Sequence, residues 1–559
     1  MRCDACSWAE QVASAPADVI VVFGLGAHVE VLAATSGATV IAFPARGESL
    51  SAAPLGGSGA ALDPYRIADE DGTPPVLTVG NVAALRRLLA EALRPRQCLR
   101  VVGWPEAMMR DPAGYRAMFE AAQRGVALAT TTQRTLDVRL ERWIGHTFCN
   151  LPWVVGRHGI ADLAPALAGW PAIIVGAGPS LDRNVRQLRR ASSRARIIAV
   201  NSAVGALERA GVRADLIVSV ELLDVSEQLR GLSLNADVPR ALSLSAHPAL
   251  HRTRDAEVYP FFEQVEHFAP LAEAAGLLPT VPSGGSVASS ALALAFQLGA
   301  GPLIFVGQDL AYSGERPYAR GTSFDEMRVV VDDVHGAAHL SNLDVKRRIG
   351  ASVPEADTTR EHVALERVRA WGQDTAASVW STHEFNYFRY TLESWAARTP
   401  PGVLYNATEG GAHIEGFVER PLAEVLDALP LRFDCAPLRA PAARRPIDAV
   451  RLREALARAH DEAARVVHLA NGAARSHDDD DVFATRAALV RSPLVAAACR
   501  RPLVETLGDP ARDFTDLFNA VAHNGRRLAR ALRGVERRLP TQPAYGKEPE
   551  RRIRSKQRG

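Results

Sequence analysis

Cysteine is scarce in this chain: six in 559 residues are too few for a disulfide framework to hold a protein of this size. Cys3 and Cys6 form a Cys-x-x-Cys, but no second pair follows at zinc spacing, so no structural metal or redox motif is expected there. Net charge is nearly absent too. Lys and Arg number 65 against 63 Asp and Glu, a balance that creates no molecule-wide field to gather nucleic acid or anionic lipid. Basic residues crowd only locally, between Arg526 and Arg558. Apolar runs are far shorter than a membrane span, and the first residues lack the basic, apolar and small-residue succession of a secretory signal. A cytoplasmic protein with no membrane span is the expectation. Its length exceeds what one core organises, so several domains are expected.

What the chain does have is a series of strand-to-helix junctions. Ala172-Ile173-Ile174-Val175 reads as a buried strand running into Gly176-Ala177-Gly178-Pro179-Ser180, with a helical segment expected over 182–195. Glycines at such a turn let backbone N–H groups approach a ligand, and the start of the next helix favours an anion, typically phosphate. Three further strands end in polar residues: 196–200 at Asn201-Ser202, 214–220 at Glu221, and 303–306 at Gly307-Gln308-Asp309. A helix over 287–299 precedes the last of them. This alternation predicts an α/β fold with a Rossmann-like parallel sheet covered on both faces. Ligands of such sheets bind at the carboxyl ends of the strands, where Ser180, Asn201, Glu221 and Asp309 would converge. Taken singly, each is a cap or turn residue; four at equivalent strand ends point to a site.

Three regions and a tail emerge from the pattern. Residues 1–150 form a smaller Rossmann-like domain opening with Val19-Ile20-Val21-Val22-Phe23-Gly24-Leu25-Gly26, with a second strand over 39–43. Domains of this methyltransferase type place an acid after the second strand to grip a ribose, but Phe43-Pro44 stands there, so a structural or weakly binding role is expected. Residues 151–435 hold the junctions. Residues 436–540 come after a Pro/Ala/Arg linker and carry Ala, Leu and Arg at helical spacing, as a helical domain would; 541–559 is a basic tail. Asp478 to Asp481 reads as a solvated helix start rather than a metal site. Two glycine-rich elements complete the central region. In Ser283-Gly284-Gly285-Ser286, Ser283 or Ser286 would cap the next helix and the glycines would leave room for a ligand. The second lies within 406–416 and includes Thr408-Glu409-Gly410-Gly411.

The order of these motifs, with Gly307-Gln308-Asp309-Leu310-Ala311-Tyr312, resembles the motility-associated factor family of bacterial proteins over about 160–430. The resemblance implies a glycosyltransferase that attaches a nonulosonic acid, pseudaminic or legionaminic, to Ser or Thr of flagellin. It also implies a central domain similar to bacterial sialyltransferases, which use a CMP-activated sugar and require no metal or other cofactor. Carried over residue by residue, Gly176, Gly178, Pro179 and Ser180 would hold the nucleotide and phosphate, and Asn201, Ser202 and Glu221 the nucleotide or sugar. Ser283, Gly284 and Gly285 would close over the donor above Gln308 and Asp309, while Thr408, Glu409, Gly410 and Gly411 lie on the acceptor side. Tyr312 and Tyr318 would hold the leaving phosphate, and His335 is the candidate general base. The family usually has Asp at the position of Glu221 and commonly His at that of Tyr318. The same central domain occurs in 6-hydroxymethylpterin diphosphokinases, an alternative that would require Mg-ATP and a carboxylate cluster drawn from Asp309, Glu221, Asp332 and Asp333. A non-catalytic protein that binds flagellin or another partner is the third reading.

Overall fold

Short runs of buried Val, Ile, Leu and Phe form most of the strands here, as suits sheets covered on both faces. The computed structural model describes residues 4–15, 17–36, 38–48, 76–93, 97–253, 255–282, 284–344, 362–432, 437–441, 447–476, 478–508 and 514–540. Two compact units emerge: Met1–Val138 with Glu393–Arg398, and Arg139–Leu392 with Thr399–Gly559.

The first unit holds a parallel sheet of β1 (Val19–Phe23), β2 (Thr39–Phe43), β3 (Val76–Thr78) and β4 (Leu99–Gly103), in the order β3-β2-β1-β4. Alternate residues of β1 serve opposite faces, as strand geometry demands. Val19, Val21 and Phe23 join one core with Leu85, Leu89 and Met118; Ile20 and Val22 join another with Leu32 and Val40.

The second unit is built on eight strands: β5 (Ala172–Val175), β6 (Arg196–Val200), β7 (Leu216–Ser219), β8 (Arg240–Ser243), β9 (Val258–Phe261), β10 (Leu303–Val306), and, later in the chain, β15 (Leu404–Asn406) and β16 (Val418–Glu419). All neighbours are parallel, in the order β16-β15-β10-β5-β6-β7-β8-β9. The chain moves outward from β5 through β9, then returns to the other side of β5 as β10. That reversal between β5 and β10 is the switch point at which such sheets open a crevice. Pairing Val175 with Val306, Val200 with Val218 and Phe305 with Asn406 sets the relative heights of these strand ends.

The Rossmann-like expectation therefore holds for both sheets. The C-terminal region is helical as expected: Ala449–Ser476, Asp479–Arg491, Pro493–Gly508 and Phe514–Arg538. Leu452, Val466, Val521, Leu532 and Val535 form its core together with Phe148, Leu151, Phe262 and Phe268. Asp478 caps the helix after it, its side chain accepting from Asp480 N–H. Among the described residues, no single helix is long and apolar enough to cross a membrane.

The structure departs from expectation in two places. The helix expected over 182–195 is a single α-turn, Leu181–Asn184, succeeded by a 3-10 helix, Val185–Ser193. Its buried Leu188 and Ala191 lie three apart, which suits three residues per turn, and so short a window does not separate that period from 3.6. An antiparallel sheet of β11 (Arg328–Asp332), β12 (Ala337–Ser341), β13 (His362–Arg369) and β14 (Ser378–Thr382) was not anticipated. These strands mix exposed charge with thin apolar faces, so they lack the buried runs that marked the large sheet. Cys3, Ser283 and the tail from 541 lie outside the described residues.

Candidate functional site

The reversal between β5 and β10 brings Ser180 and Asp309 together. Ser180 Oγ donates to Asp309 Oδ2 at 2.7 Å and its backbone N–H donates to Oδ1 at 3.1 Å. Asp309 is only 3% exposed, and burial raises its pKa to about 6 against the opposing pull of the Ser180 hydrogen bonds and Arg183. The segment after β15 completes the group. Thr408 Oγ1 accepts from Gln308 N–H (3.2 Å), and Ala412 N–H donates to Asp309 O (2.7 Å). Arg183 reaches Glu409 O, while Asn184 Nδ2 donates to Ala407 O at 3.2 Å.

The glycines of the β5 turn serve this packing. A Cβ on Gly178 would stand 1.9 Å from Asp309 Oδ2, one on Gly176 would meet Gly307 O at 2.5 Å, and one on Gly411 would fall 2.1 Å from Asp309 O. The N–H groups of Gly176, Gly178, Ser180, Leu181 and Asp182 all donate to protein acceptors: Val306 O, Gly307 O, Asp309, Gly178 O and Pro179 O. The turn thus forms as a tight crossing of two strand ends, with donors expected for a phosphate engaged inside the protein.

Unpaired polar atoms lie along the rest of the edge. Asn201, after β6, is 2% exposed; its Nδ2 donates to Gln228 Oε1 at 2.7 Å and its Oδ1 has no partner. Asn406 Nδ2, at the end of β15, is likewise buried and unpaired. Ser202 is half-buried in a 3-10 turn, Asn201–Ala203. Glu221 lies just past β7, and its backbone O accepts from His247 N–H at 2.8 Å. Its carboxyl is pushed up from the ordinary range by burial; the charges of Glu384 and Glu263 add to this and Arg139 opposes it.

Sequence reasoning missed the groups on β8 and β9. Glu263 Oε2 accepts from Ser243 Oγ (3.0 Å) and Ser245 Oγ (2.6 Å), while His146 Nδ1 lies 3.2 Å from Ser245 O and its ring meets His247 edge-on. Their signal was modest: Ser243-Leu244-Ser245-Ala246-His247 alternates polar and apolar residues where a strand leaves the core.

Tyr312 is 8% exposed and packs edge-on against Phe385; Tyr318 stacks obliquely on Phe324. Burial, with the nearby Glu384 carboxylate, pushes the Tyr312 hydroxyl above its ordinary range, so it stays a hydrogen-bond donor. His335 occupies the exposed turn between β11 and β12, its Nδ1 2.7 Å from Asp332 Oδ2. Asp333 holds Arg367 and Trp380 there. The space expected beside Gly284 and Gly285 is filled. A Cβ on Gly284 would meet Ser289 Oγ at 2.3 Å, and one on Gly285 would meet Tyr387 at 2.3 Å. Ser286 caps the helix Val287–Gln297. Among the described residues, no three His, Cys, Asp or Glu side chains group closely enough to hold a metal ion.

In the first unit the acid absent at 43–44 is replaced from a little further on. Glu48 Oε2 accepts from Leu25 N–H and Ala45 N–H, each at 2.8 Å, and Glu48 pairs with Arg110. A carboxylate of the chain itself thus occupies the glycine turn, beside the stacked rings of His28 and Trp104.

Residues 146–315 match the family model described as 6-hydroxymethylpterin diphosphokinase MptE-like. The match spans β5 to β10 and overlaps the first half of the central region where the motif order pointed, covering less than a third of the chain. A solved structure of the MAf glycosyltransferase from Magnetospirillum magneticum AMB-1 is similar at 14% identity and a TM-score of 0.48, covering 96% of this chain and 82% of its own. No curated protein matches.

Proposed function

We propose that this protein is a glycosyltransferase that moves a nonulosonic acid from a CMP-activated donor to Ser or Thr of a protein acceptor, flagellin, in the cytoplasm. The observation that carries this reading is the unpaired Oδ1 of Asn201, buried at a strand end one position from the switch-point strand β5. A buried carbonyl oxygen without a donor is costly unless a ligand supplies one, and a cytosine amino group or ribose hydroxyl does so. Departure of CMP from an oxocarbenium-like centre is eased by neutral donors aimed at the phosphate, and the protonated Tyr312 hydroxyl suits that task without a metal. Residues 151–435 would carry the transfer, with 436–540 and the glycine-rich 408–411 element on the protein-acceptor side and 1–150 as support.

The family match favours a second reading, a pterin diphosphokinase dependent on Mg-ATP. Asp332 and Asp333 are engaged with His335, Arg367 and Trp380, which leaves that reading short of the carboxylate cluster it requires. Thermal shifts with CMP, ATP and GTP, each with and without magnesium, separate the two. The transferase predicts stabilisation by CMP alone. It also predicts a loss of CMP affinity of roughly tenfold in Asn201→Ala, as deletion of a hydrogen bond worth about 1–3 kcal/mol implies. Magnesium-dependent ATP binding would replace it with the kinase, and silence from every nucleotide would leave a partner-binding protein.

A further inference from the structure

Three carboxyl groups stand just beyond the ends of β7, β9 and β10, and they are held differently. Asp309 accepts from Ser180, and Glu263 accepts from Ser243 and Ser245. The Glu221 carboxyl has no hydrogen-bond partner among the described residues and keeps partial solvent exposure although protein atoms surround it closely. The neighbouring strand end carries Asn201 with its buried, unpaired Oδ1, so groups left without protein partners fall side by side on β6 and β7. We infer that Glu221 is the general base that takes the proton from the acceptor hydroxyl. The inference rests on the transferase reading above.

The surroundings suit that role. Glu384 lies within electrostatic reach of both Glu221 and Tyr312. Burial raises the proton affinity of Glu221, Glu384 and Glu263 raise it further, and Arg139 restrains it. A carboxyl whose proton affinity is raised is, in its ionised form, a stronger base than an ordinary glutamate. His335 pairs with Asp332 on an exposed turn between β11 and β12, and His247 Nδ1 accepts from Ala249 N–H at 3.4 Å. In the step itself the acceptor Oγ attacks the anomeric carbon as the bond from that carbon to the phosphate oxygen breaks. The electron pair of that bond leaves with CMP, and the Oγ proton passes to Glu221, which returns it to water.

The test uses the full chain, a CMP-activated nonulosonic acid, and flagellin. Glu221→Gln should lower kcat by about a hundredfold or more, with donor KM and the CMP thermal shift unchanged. It should also lose the acid limb of the kcat/KM profile. Glu221→Asp should recover part of the rate and keep that limb. A Glu221→Gln variant with an intact acid limb, or one whose loss lies wholly in CMP affinity, overturns the assignment while the transferase stands. If the unaltered protein neither binds CMP nor releases it from the donor, the transferase reading falls and the base falls with it.

Discussion

Asp309 explains why glycine recurs at two distant points of the chain. Its carboxylate lies against Gly178 and its backbone against Gly411, so both positions are closed to a side chain. Gly411 also has φ of +76°, a conformation L residues adopt only with strain. Gly178→Ala and Gly411→Ala should each destabilise the second unit by about 1–3 kcal/mol, as overpacking of a fixed core does. Gly410→Ala is the control: its added Cβ meets nothing closer than Ser180 Cβ at 3.4 Å, and a change within about 0.5 kcal/mol is expected. Denaturant midpoints of the three variants measure this, and equal losses in all three would show that the close approach to Asp309 does not govern the site. The Gly-x-Gly-Pro-Ser motif was legible as a place where backbone comes close. The group that approaches it was not, because Asp309 lies far off in sequence and only the pairing of β5 with β10 brings it there.

Legibility among the elements tracked burial. Strands such as β5, β6 and β10 are continuous apolar runs and announce themselves; β8 begins with Arg240 and ends in serine, and β15 is three residues long, so tertiary pairing rather than local pattern makes them strands. Glu208 shows how a helix can organise a distant loop. From the helix Val204–Ala210 its carboxylate accepts from the backbone N–H groups of Ser233, Leu234 and Asn235 and from the Ser233 and Asn235 side chains. Burial opposes its ionisation, but these donors win and hold its pKa at about 2 against an ordinary 4.5. A depressed carboxyl stabilises the fold above its unfolded value, and that contribution disappears as pH falls through the interval from 4.5 to about 2. After solvent screening the contribution is about 1–2 kcal/mol. Glu208→Gln should therefore unfold more easily at about pH 6, with the gap to the unaltered protein closing as pH falls to about 2. A gap that stays constant with pH would assign the effect to shape rather than charge.

At the scale of the whole molecule, the Rossmann-like character of both sheets could be read from apolar runs and glycine turns, whereas the closing of the first unit's turn by Glu48 could not. That carboxylate is five residues beyond β2, and only the folded loop returns it to Leu25. The first unit has two described cores, one around Leu85 and Met118 and one around Leu32 and Val40, and the second has a core around Phe148, Leu452 and Val521. Distinct cores are distinct cooperative blocks in the simplest case. Calorimetry should then resolve two transitions. Leu32→Ala removes a fully buried side chain and should cost about 2–5 kcal/mol, lowering one transition and leaving the other in place. Gly411→Ala should move the second alone. If either variant shifts both endotherms together, the cores do not unfold independently.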